Sequence, residues 1–369
     1  MKFTSVCSVL CLLIFTASGS LALDTDIRGQ ISGWTTEVRS QDEWRNQSGL
    51  RYLPQLGLTP FVNDTMFMDV ELALNGFAAY SSVDDKVNAD LKLYRLTARV
   101  ATNQTETRAG LQKINFGPAQ LLRPLRWFDQ LDQRDPQGMT EGVYGLLFRY
   151  TALNNANAWL WGLYGNDDVK GFERLPSVQD SPEFGGRVQY PIWTGEVAAT
   201  AHTRTVNGDM LNAGDFRETR VALDGRWEYG VGLWTESVLQ YQDSDDRPYN
   251  WTTMTTLGLD YTFGIGNGLF IVLEHMATGA SEKAFGFAED AHISACLLSY
   301  PIGLFDSVSS ISFYNWELEE FSQHISWQRA YDNLVIDASL FRYPDPDDAE
   351  AHAGQQTGSG GQLMLIYYH

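Results

Sequence analysis

The sequence predicts an all-β protein: a single transmembrane antiparallel β-barrel of about eighteen strands, with sixteen as the alternative count. Three observations predict this fold. Apolar and polar residues alternate with period two along nearly the whole chain after residue 22, as expected of strands with two unlike faces. Short and long connections alternate between these strands. The N-terminal segment has the features of a cleaved signal peptide, which directs a chain out of the cytoplasm.

Residues 1–22 carry the three parts of a signal peptide. Lys2 supplies the positive charge, residues 6–15 form the apolar segment, and the tripeptide at 20–22 fits the small-x-small cleavage pattern. The apolar segment is shorter than the roughly 18 residues that a membrane-spanning helix needs, and no later segment reaches that length. We therefore expect the mature protein to be one barrel domain over residues 23–369.

The predicted strands follow one another along the chain, and the segment 217–228 shows the alternation most clearly. Glu218 and Arg220 lie on one face of it, while Val221 and Leu223 lie on the other. The same analysis predicts strands over residues 27–34, 50–58, 67–80, 91–100, 108–116, 143–150, 159–164, 184–192, 196–204, 217–228, 232–242, 253–263, 269–278, 292–300, 308–316, 321–330, 334–343 and 362–369.

The connections alternate in length, as the two ends of a transmembrane barrel require. We predict short ones near residues 103–104, 154–155, 193–194, 229–230, 264–267, 301–305 and 331–333. We predict long ones near residues 39–49, 118–139, 166–182, 207–216, 243–251, 280–288 and 344–361. The turns at 82–88 and 317–320 should be long in this scheme and are short. A soluble secreted β-sandwich is the alternative fold, but one sheet of so many strands favours closure into a barrel.

Composition and motifs disfavour two other classes of function. A formal net charge of −20 does not suit a nucleic-acid binder, which needs a basic surface. A hydrolase needs a nucleophile beside an oriented histidine, and the histidines are scattered over different strands. The sequence contains no Gly-x-Ser-x-Gly and no zinc-binding spacing, so we expect no catalytic, metal or cofactor site. His202 and His324 fall on polar faces and would serve the alternative, a hydrolase embedded in the barrel.

The connection 118–139 differs from an ordinary surface loop, which is short and polar. It carries large apolar side chains, which need something to pack against, and charged ones, which need water or one another. A loop folded inward into a polar, water-filled barrel meets both demands, whereas a short amphipathic helix on a sheet is the alternative. The apolar side chains are Leu121, Leu122, Leu125, Trp127 and Phe128, and the charged ones are Arg123, Arg126, Asp129, Asp132, Arg134 and Asp135. We expect this loop to form the constriction of a pore.

The stretch around this loop resembles a known family. Its R-x-G-x-Q-x-I-x-F-G strand, followed by L-R-P-L-x-W-F-D and G-V-x-G-L, resembles the signature region of porin-like outer-membrane proteins, including the alginate-export type. The resemblance covers residues 108–150 and implies a barrel of about this strand number whose lumen passes small or anionic solutes. Carried over residue by residue, it marks Arg108, Gln112, Arg123, Trp127 and Asp129.

The selectivity of a pore depends on its width and on the charges that line it. Arg95, Arg99 and Arg108 lie on two neighbouring strands beside the loop, which adds Arg123 and Arg126, and this cluster predicts a preference for anions. In the alternative interpretation the charges form salt bridges that hold neighbouring strands in register. The predicted pore-lining or constriction residues are Arg95, Arg99, Arg108, Gln112, Arg123, Arg126, Trp127, Asp129, Arg187, Arg220, Glu218 and Asp224.

These observations predict a porin in the outer membrane of a Gram-negative-type cell, through which small hydrophilic and anionic solutes diffuse passively. An outer-membrane exporter of an acidic polysaccharide is the alternative within the same fold. The expected partners are outer-membrane lipid and the solutes, with no nucleic acid, and the protein is expected to be a monomer or a trimer.

Overall fold

The computed structural model describes residues 23–63, 65–211, 214–244, 248–286, 288–344 and 357–369, so the predicted signal peptide lies outside the described residues. The described chain is almost entirely strand. The strands are β1 (Leu23–Ser40), β2 (Glu43–Asn63), β3 (Met66–Ser81), β4 (Lys86–Thr102), β5 (Thr105–Gln112), β6 (Val143–Thr151), β7 (Asn157–Leu163), β8 (Glu183–Ile192), β9 (Gly195–Val206), β10 (Phe216–Glu228), β11 (Gly232–Asp243), β12 (Trp251–Phe263), β13 (Leu269–Ser281), β14 (Glu289–Ile302), β15 (Asp306–Asn315), β16 (Glu320–Ala330), β17 (Leu334–Tyr343) and β18 (Gly358–Tyr368).

Each strand pairs antiparallel with the next one in the sequence, and β18 pairs with β1, so the sheet closes on itself. The eighteen strands confirm the predicted barrel, and the alternatives of sixteen strands and of a two-sheet sandwich are excluded. Closure leaves no open edge, which is a requirement for a sheet that crosses a bilayer. Within the described ranges, no helix is long and apolar enough to cross a membrane, and a 3₁₀ turn lies at Asp209–Leu211.

The connections differ between the two ends of the barrel. At the end where β1 begins and β18 ends, here called the termini end, the connections between the described strands are two to five residues long. They are 64–65, 103–104, 152–156, 193–194, 229–231, 264–268, 303–305 and 331–333. The opposite end, here called the loop end, carries 41–42, 82–85, 113–142, 164–182, 207–215, 244–250, 282–288, 316–319 and 344–357. The predicted alternation holds except at three short loop-end turns.

One of these turns corrects a prediction. The expected long loop at 39–49 is wrong, because β1 and β2 continue as paired strands as far as Ser40 and Glu43. Gln41 and Asp42 make the turn alone, with φ of 50° and 64°. Positive φ at both central residues gives the two-residue turn whose twist matches that of paired strands. The polar residues of this stretch therefore lie on a long hairpin and not in a loop.

The two faces of the wall differ as the alternation predicts. On β10 the side chains of Val221 and Leu223 are 45% and 67% exposed, whereas Ala222 and Asp224 are each 6% exposed. Because the sheet is closed, the exposed apolar side chains lie on the outside of the barrel and the buried ones face the lumen. The outer wall is thus apolar and the inner wall is polar, as in a barrel that stands in lipid.

A β-bulge in β4 breaks the alternation. Ala73 pairs with Arg95 and Leu74 pairs with Leu93, which leaves Tyr94 as an extra residue. A bulge changes the direction in which the neighbouring side chains point. Here both Tyr94 and Arg95 turn toward the lumen, since the Tyr94 hydroxyl and the Arg95 guanidinium both bond the backbone of Thr140 in the loop that follows β5.

Candidate functional site

The connection 113–142, here called the inner loop, lies inside the barrel. It leaves β5 and reaches the far wall, where its backbone amides donate to two buried carboxylates. Glu274 on β13 accepts from the amides of Gln120, Leu121 and Leu122. Glu236 on β11 accepts from two further amides of the loop, at 2.8 and 3.0 Å. Hydrogen bonds to a charged group contribute about 1.5–3 kcal/mol each, so these two side chains hold the loop firmly across the lumen.

An apolar cluster holds the same loop against the neighbouring wall. Phe116, Leu125, Trp127 and Phe128 pack with wall side chains of β6, β7, β10 and β11, among them Trp161. The Phe116 and Trp161 rings are stacked with centroids 5.7 Å apart, and Trp127 meets Phe116 edge to face. Full burial of each large side chain contributes about 1.5–3 kcal/mol. The apolar side chains that made this segment unusual in the sequence are therefore packed inside the barrel.

Several predicted site residues lie within the loop and its attachment. Arg123 and Asp129 form a buried ion pair inside the loop, with a 3.0 Å bond between Nη2 and Oδ2. Trp127 is 1% exposed, so it packs and does not face solvent. Arg126 lies over the ring of Phe172, with its guanidinium carbon 4.4 Å from the ring centroid. Gln112 donates to the backbone carbonyl of Gly145 across the β5–β6 pair.

The connection 164–182, here called the second inner loop, also folds inward, which the sequence did not reveal. Lys170 contacts Glu173 within this loop and Glu183 at the start of β8, with nitrogen–oxygen distances of 3.4 and 2.9 Å. Glu173 in turn contacts Arg204 and Arg220 on the wall. All five side chains are at most 5% exposed.

Further wall residues complete this buried network. Glu218, a predicted site residue, accepts hydrogen bonds from Arg204, Arg220, Gln240 and Gln242. A charge buried without a partner is costly, and this carboxylate has four. The network therefore fills the part of the lumen beside strands β8 to β11 and holds the second inner loop against that part of the wall.

Arg187 and Asp224 form a second buried connection between strands. Both nitrogens of the guanidinium terminus donate to the two carboxylate oxygens, at 2.6 and 2.7 Å, and the side chains are 4% and 3% exposed. Arg187 also donates to the Thr200 hydroxyl. This geometry is that of a bidentate pair which links β8 to β10 across β9.

The remaining predicted arginines lie at two levels. Arg95 donates to the carbonyl of Thr140 and so anchors the end of the inner loop. Arg99 and Arg108 lie near the 103–104 turn, where both contact Glu106, at 3.6 and 2.7 Å. The termini-end cluster comprises three arginines, Arg99, Arg108 and Arg149, and two carboxylates, Asp69 and Glu106.

The two histidines that the hydrolase alternative would use are both buried against side chains of the lumen. His202 is 2% exposed and accepts a hydrogen bond from the Trp161 indole at Nδ1. Its Nε2 lies 3.2 Å from Oε2 of Glu183. His324 is 7% exposed and faces the tip of the inner loop. Across the part of the chain that the structure describes, no cluster of three or more histidine, cysteine, aspartate or glutamate side chains could hold a metal ion.

An open space lies beside the tip of the inner loop. It has a volume of about 420 Å³ and lies between the loop tip, residues 132–137, and the wall formed by β16, β17, β18, β1 and β2. We call it the gap. Arg51 on β2 reaches it and donates to Gln137 of the loop tip at 2.7 Å.

The charged groups of the loop tip all bond partners within the inner loop. Arg134 donates from Nε and Nη2 to the two oxygens of Asp132, at 2.9 and 2.6 Å. Burial alone would raise the pKa of Asp132, but the Arg134 guanidinium outweighs it, so this pKa lies below its ordinary value. Asp135 accepts from the amides of Gln137 and Met139. The loop tip is therefore an internally bonded wall of the gap with a formal charge of −1, which the positive charge of Arg51 balances.

No protein-family model and no curated protein sequence matches the chain. Solved structures do match it. OccAB1 of Acinetobacter baumannii aligns with a TM-score of 0.60 at 8% identity, covering 96% of this chain and 98% of that one. OccK5 (OpdH) of Pseudomonas aeruginosa aligns with a TM-score of 0.58 at 13% identity, covering 94% and 98%. The chain shares their fold.

OmpT of Vibrio cholerae, an outer-membrane protein whose structure is of a trimer form, aligns with a TM-score of 0.50 at 13% identity, covering 94% of this chain and 100% of that one. At such identities the likeness concerns the fold. It agrees with the barrel that the resemblance over residues 108–150 implied. The alginate-export type, and the roles of the individual pore-lining residues, stay predictions.

Proposed function

We propose that the protein is a porin of the Gram-negative outer membrane through which small hydrophilic solutes diffuse passively. One observation carries the proposal: a closed barrel with an apolar outer wall encloses a polar lumen that is narrowed to a gap beside an inward-folded loop. An apolar outer wall suits lipid as the surrounding medium, and a polar lumen suits water and hydrophilic solutes. The shared fold of the Acinetobacter and Pseudomonas proteins supports the same assignment. Both a monomer and a trimer fit this proposal.

The alternative, an exporter of an acidic polysaccharide, has less support. A polyanion needs a continuous row of free positive charges along its path. Arg123, Arg187 and Arg220 are each paired with a carboxylate and are at most 7% exposed. These arginines therefore serve packing within the lumen, and the paired interpretation of the sequence suits them better than the selective one.

The proposal is tested by reconstitution of the purified, folded protein into a planar lipid bilayer. We expect discrete conductance steps in potassium chloride, because ions can cross a barrel whose lumen stays open at the gap beside the inner loop. Heat-denatured protein in the same detergent is the control and should give none. Folded protein that inserts into lipid without any conductance would contradict the porin function.

We further propose a weak preference for anions, set by the termini-end cluster. Its three guanidinium groups exceed its two carboxylates by one charge, and Arg99 and Arg108 are 32% and 25% exposed to the lumen. Arg108→Gln should move the reversal potential in a salt gradient toward cation preference, since the cluster then carries equal charges. The matched control is Arg217→Gln on the outer face of β10, which should leave the potential unchanged. An equal shift in both variants, or none in Arg108→Gln, would show that the cluster does not set selectivity.

A further inference from the structure

Two aromatic rings line the wall of the gap. The indole of Trp34 on β1 covers Gly49 of the neighbouring strand, where a Cβ atom would clash with the ring. Phe341 on β17 lies beside Gly360, where a Cβ would be 2.9 Å from Cζ of the ring and closer still to the backbone oxygen of Glu37. Glycine on the adjacent strand thus lets the Trp34 indole lie against the sheet, with the Arg51 guanidinium carbon 5.4 Å from the ring centroid. The Phe341 ring stacks on Tyr343 with centroids 5.2 Å apart, and both rings line the gap.

The groups between the two rings are neutral hydrogen-bonding side chains. Thr36, Gln47, Ser339 and Gln362 line the gap beside them. Hydroxyl and amide groups both donate and accept, so they can match solute hydroxyls in either role. The gap volume of about 420 Å³ lies within the range of roughly 300–1,000 Å³ that is usual for small-molecule sites.

The fixed charges at the gap cancel. Among the described residues that line it, Arg51 and Arg134 face Asp132 and Asp135. Three of these four groups already have partners within the loop tip, and Arg51 bonds Gln137. A charged solute would lose part of its hydration here, and the two positive and two negative side chains offer it no net opposite charge in return. An uncharged solute avoids that penalty.

We infer that the gap is a binding and selection site for neutral polyhydroxylated solutes of the sugar class. The inference rests on the proposed porin function and adds its substrate class. The faces of a sugar ring present C–H groups with partial positive charge, which pack on the negative faces of aromatic rings. The rim of the same ring presents hydroxyl groups, which the amides and hydroxyls of the gap can bond. The weak anion preference of the termini-end cluster acts on small ions at a different level of the lumen.

The test measures single-channel conductance in potassium chloride while a trisaccharide is added. Maltotriose is the neutral probe and trigalacturonate, of similar size, is the acidic one. We expect maltotriose to reduce the conductance in a saturable manner, because a bound sugar fills the gap, and trigalacturonate to do so far more weakly. Equal reduction by both probes, or no reduction by maltotriose in a channel that conducts, would overturn the sugar inference and leave the porin function standing. A protein with no conductance at all would contradict the porin function itself.

Variants locate the site. Trp34→Ala and Phe341→Ala should each weaken the maltotriose effect severalfold, while the open-channel conductance shows that the barrel has folded. The matched controls are Trp44→Ala and Phe321→Ala, whose side chains are 68% and 48% exposed on the outer face. These should behave like the wild type. An unchanged maltotriose affinity in both gap variants would place sugar binding elsewhere and overturn the assignment.

Discussion

Replacement of residues 119–137 with a short Gly-Ser linker is expected to leave the barrel folded and to raise its single-channel conductance severalfold. The barrel persists because every neighbouring strand pair remains, including β5 with β6. The conductance rises because this segment fills the lumen from the wall at Glu274 to the wall at Arg51. Folding is checked by the difference in gel mobility between heated and unheated samples, and conductance is measured in planar bilayers.

The same replacement should change selectivity in a defined direction. The removed segment contains three arginines and three aspartates, so its formal charge is zero. Its removal uncovers Glu236 and Glu274, which are 0% and 3% exposed beneath the loop. The variant should therefore prefer cations more than the wild type does. An unchanged conductance would mean that the segment does not narrow the pore, and failure of the barrel to fold would make it a structural brace.

Loss of one partner of the Arg187–Asp224 pair is expected to lower the free energy of unfolding by about 3–5 kcal/mol, because it leaves a buried charge unpaired. Asp224→Leu should show this loss, since Arg187 would remain buried beside it. The double variant with Arg187→Leu and Asp224→Leu should recover most of the stability, because it removes both charges from the lumen wall. Unfolding in urea, followed by tryptophan fluorescence in lipid vesicles, measures both.

An exposed pair provides the comparison for that experiment. Asp26 and Arg28 are 55% and 69% exposed at the termini end, with a nitrogen–oxygen distance of 2.6 Å. Exposed pairs contribute about 0–1 kcal/mol, so Asp26→Leu should change stability little. If Asp224→Leu costs no more than Asp26→Leu, the buried pair does not stabilise the barrel. If the double variant is as unstable as the single one, the loss comes from packing and not from the unpaired charge.

The wall of the barrel could be predicted from the sequence because each strand has one face in an apolar and one in a polar environment. On β10, Glu218 and Arg220 lie on the polar face, and Val221 and Leu223 lie on the apolar face. The inner loop could be recognised because apolar side chains such as Trp127 need a packing surface. Both signals are local, and both depend on composition over a few residues.

The features that the sequence did not reveal depend on distant contacts. Glu274 meets Leu121 across more than 150 positions, and no local pattern marks it as the anchor of the loop. Lys170 and Glu173 lie in a polar, acidic connection, and such a composition is typical of an exterior loop. Their burial depends on contacts with Arg204 and Arg220, which are distant in the sequence. The sequence likewise predicts an unbroken alternation along β4, which the bulge at Tyr94 interrupts.

The central claim, that solutes pass between the tip of the inner loop and the β16–β2 wall, is tested most directly by a single cysteine in the gap. Thr36→Cys in a Cys296→Ser background places a small thiol among the gap residues on β1. Thr35→Cys, the next residue on the same strand, lies exposed on the outer face and is the control. Conductance is recorded before and after a charged, water-soluble methanethiosulfonate reagent is added. We predict a large, irreversible fall for the protein with cysteine at position 36 and no change for the one with cysteine at 35, whereas an unaltered conductance after confirmed labelling at position 36 would contradict the path.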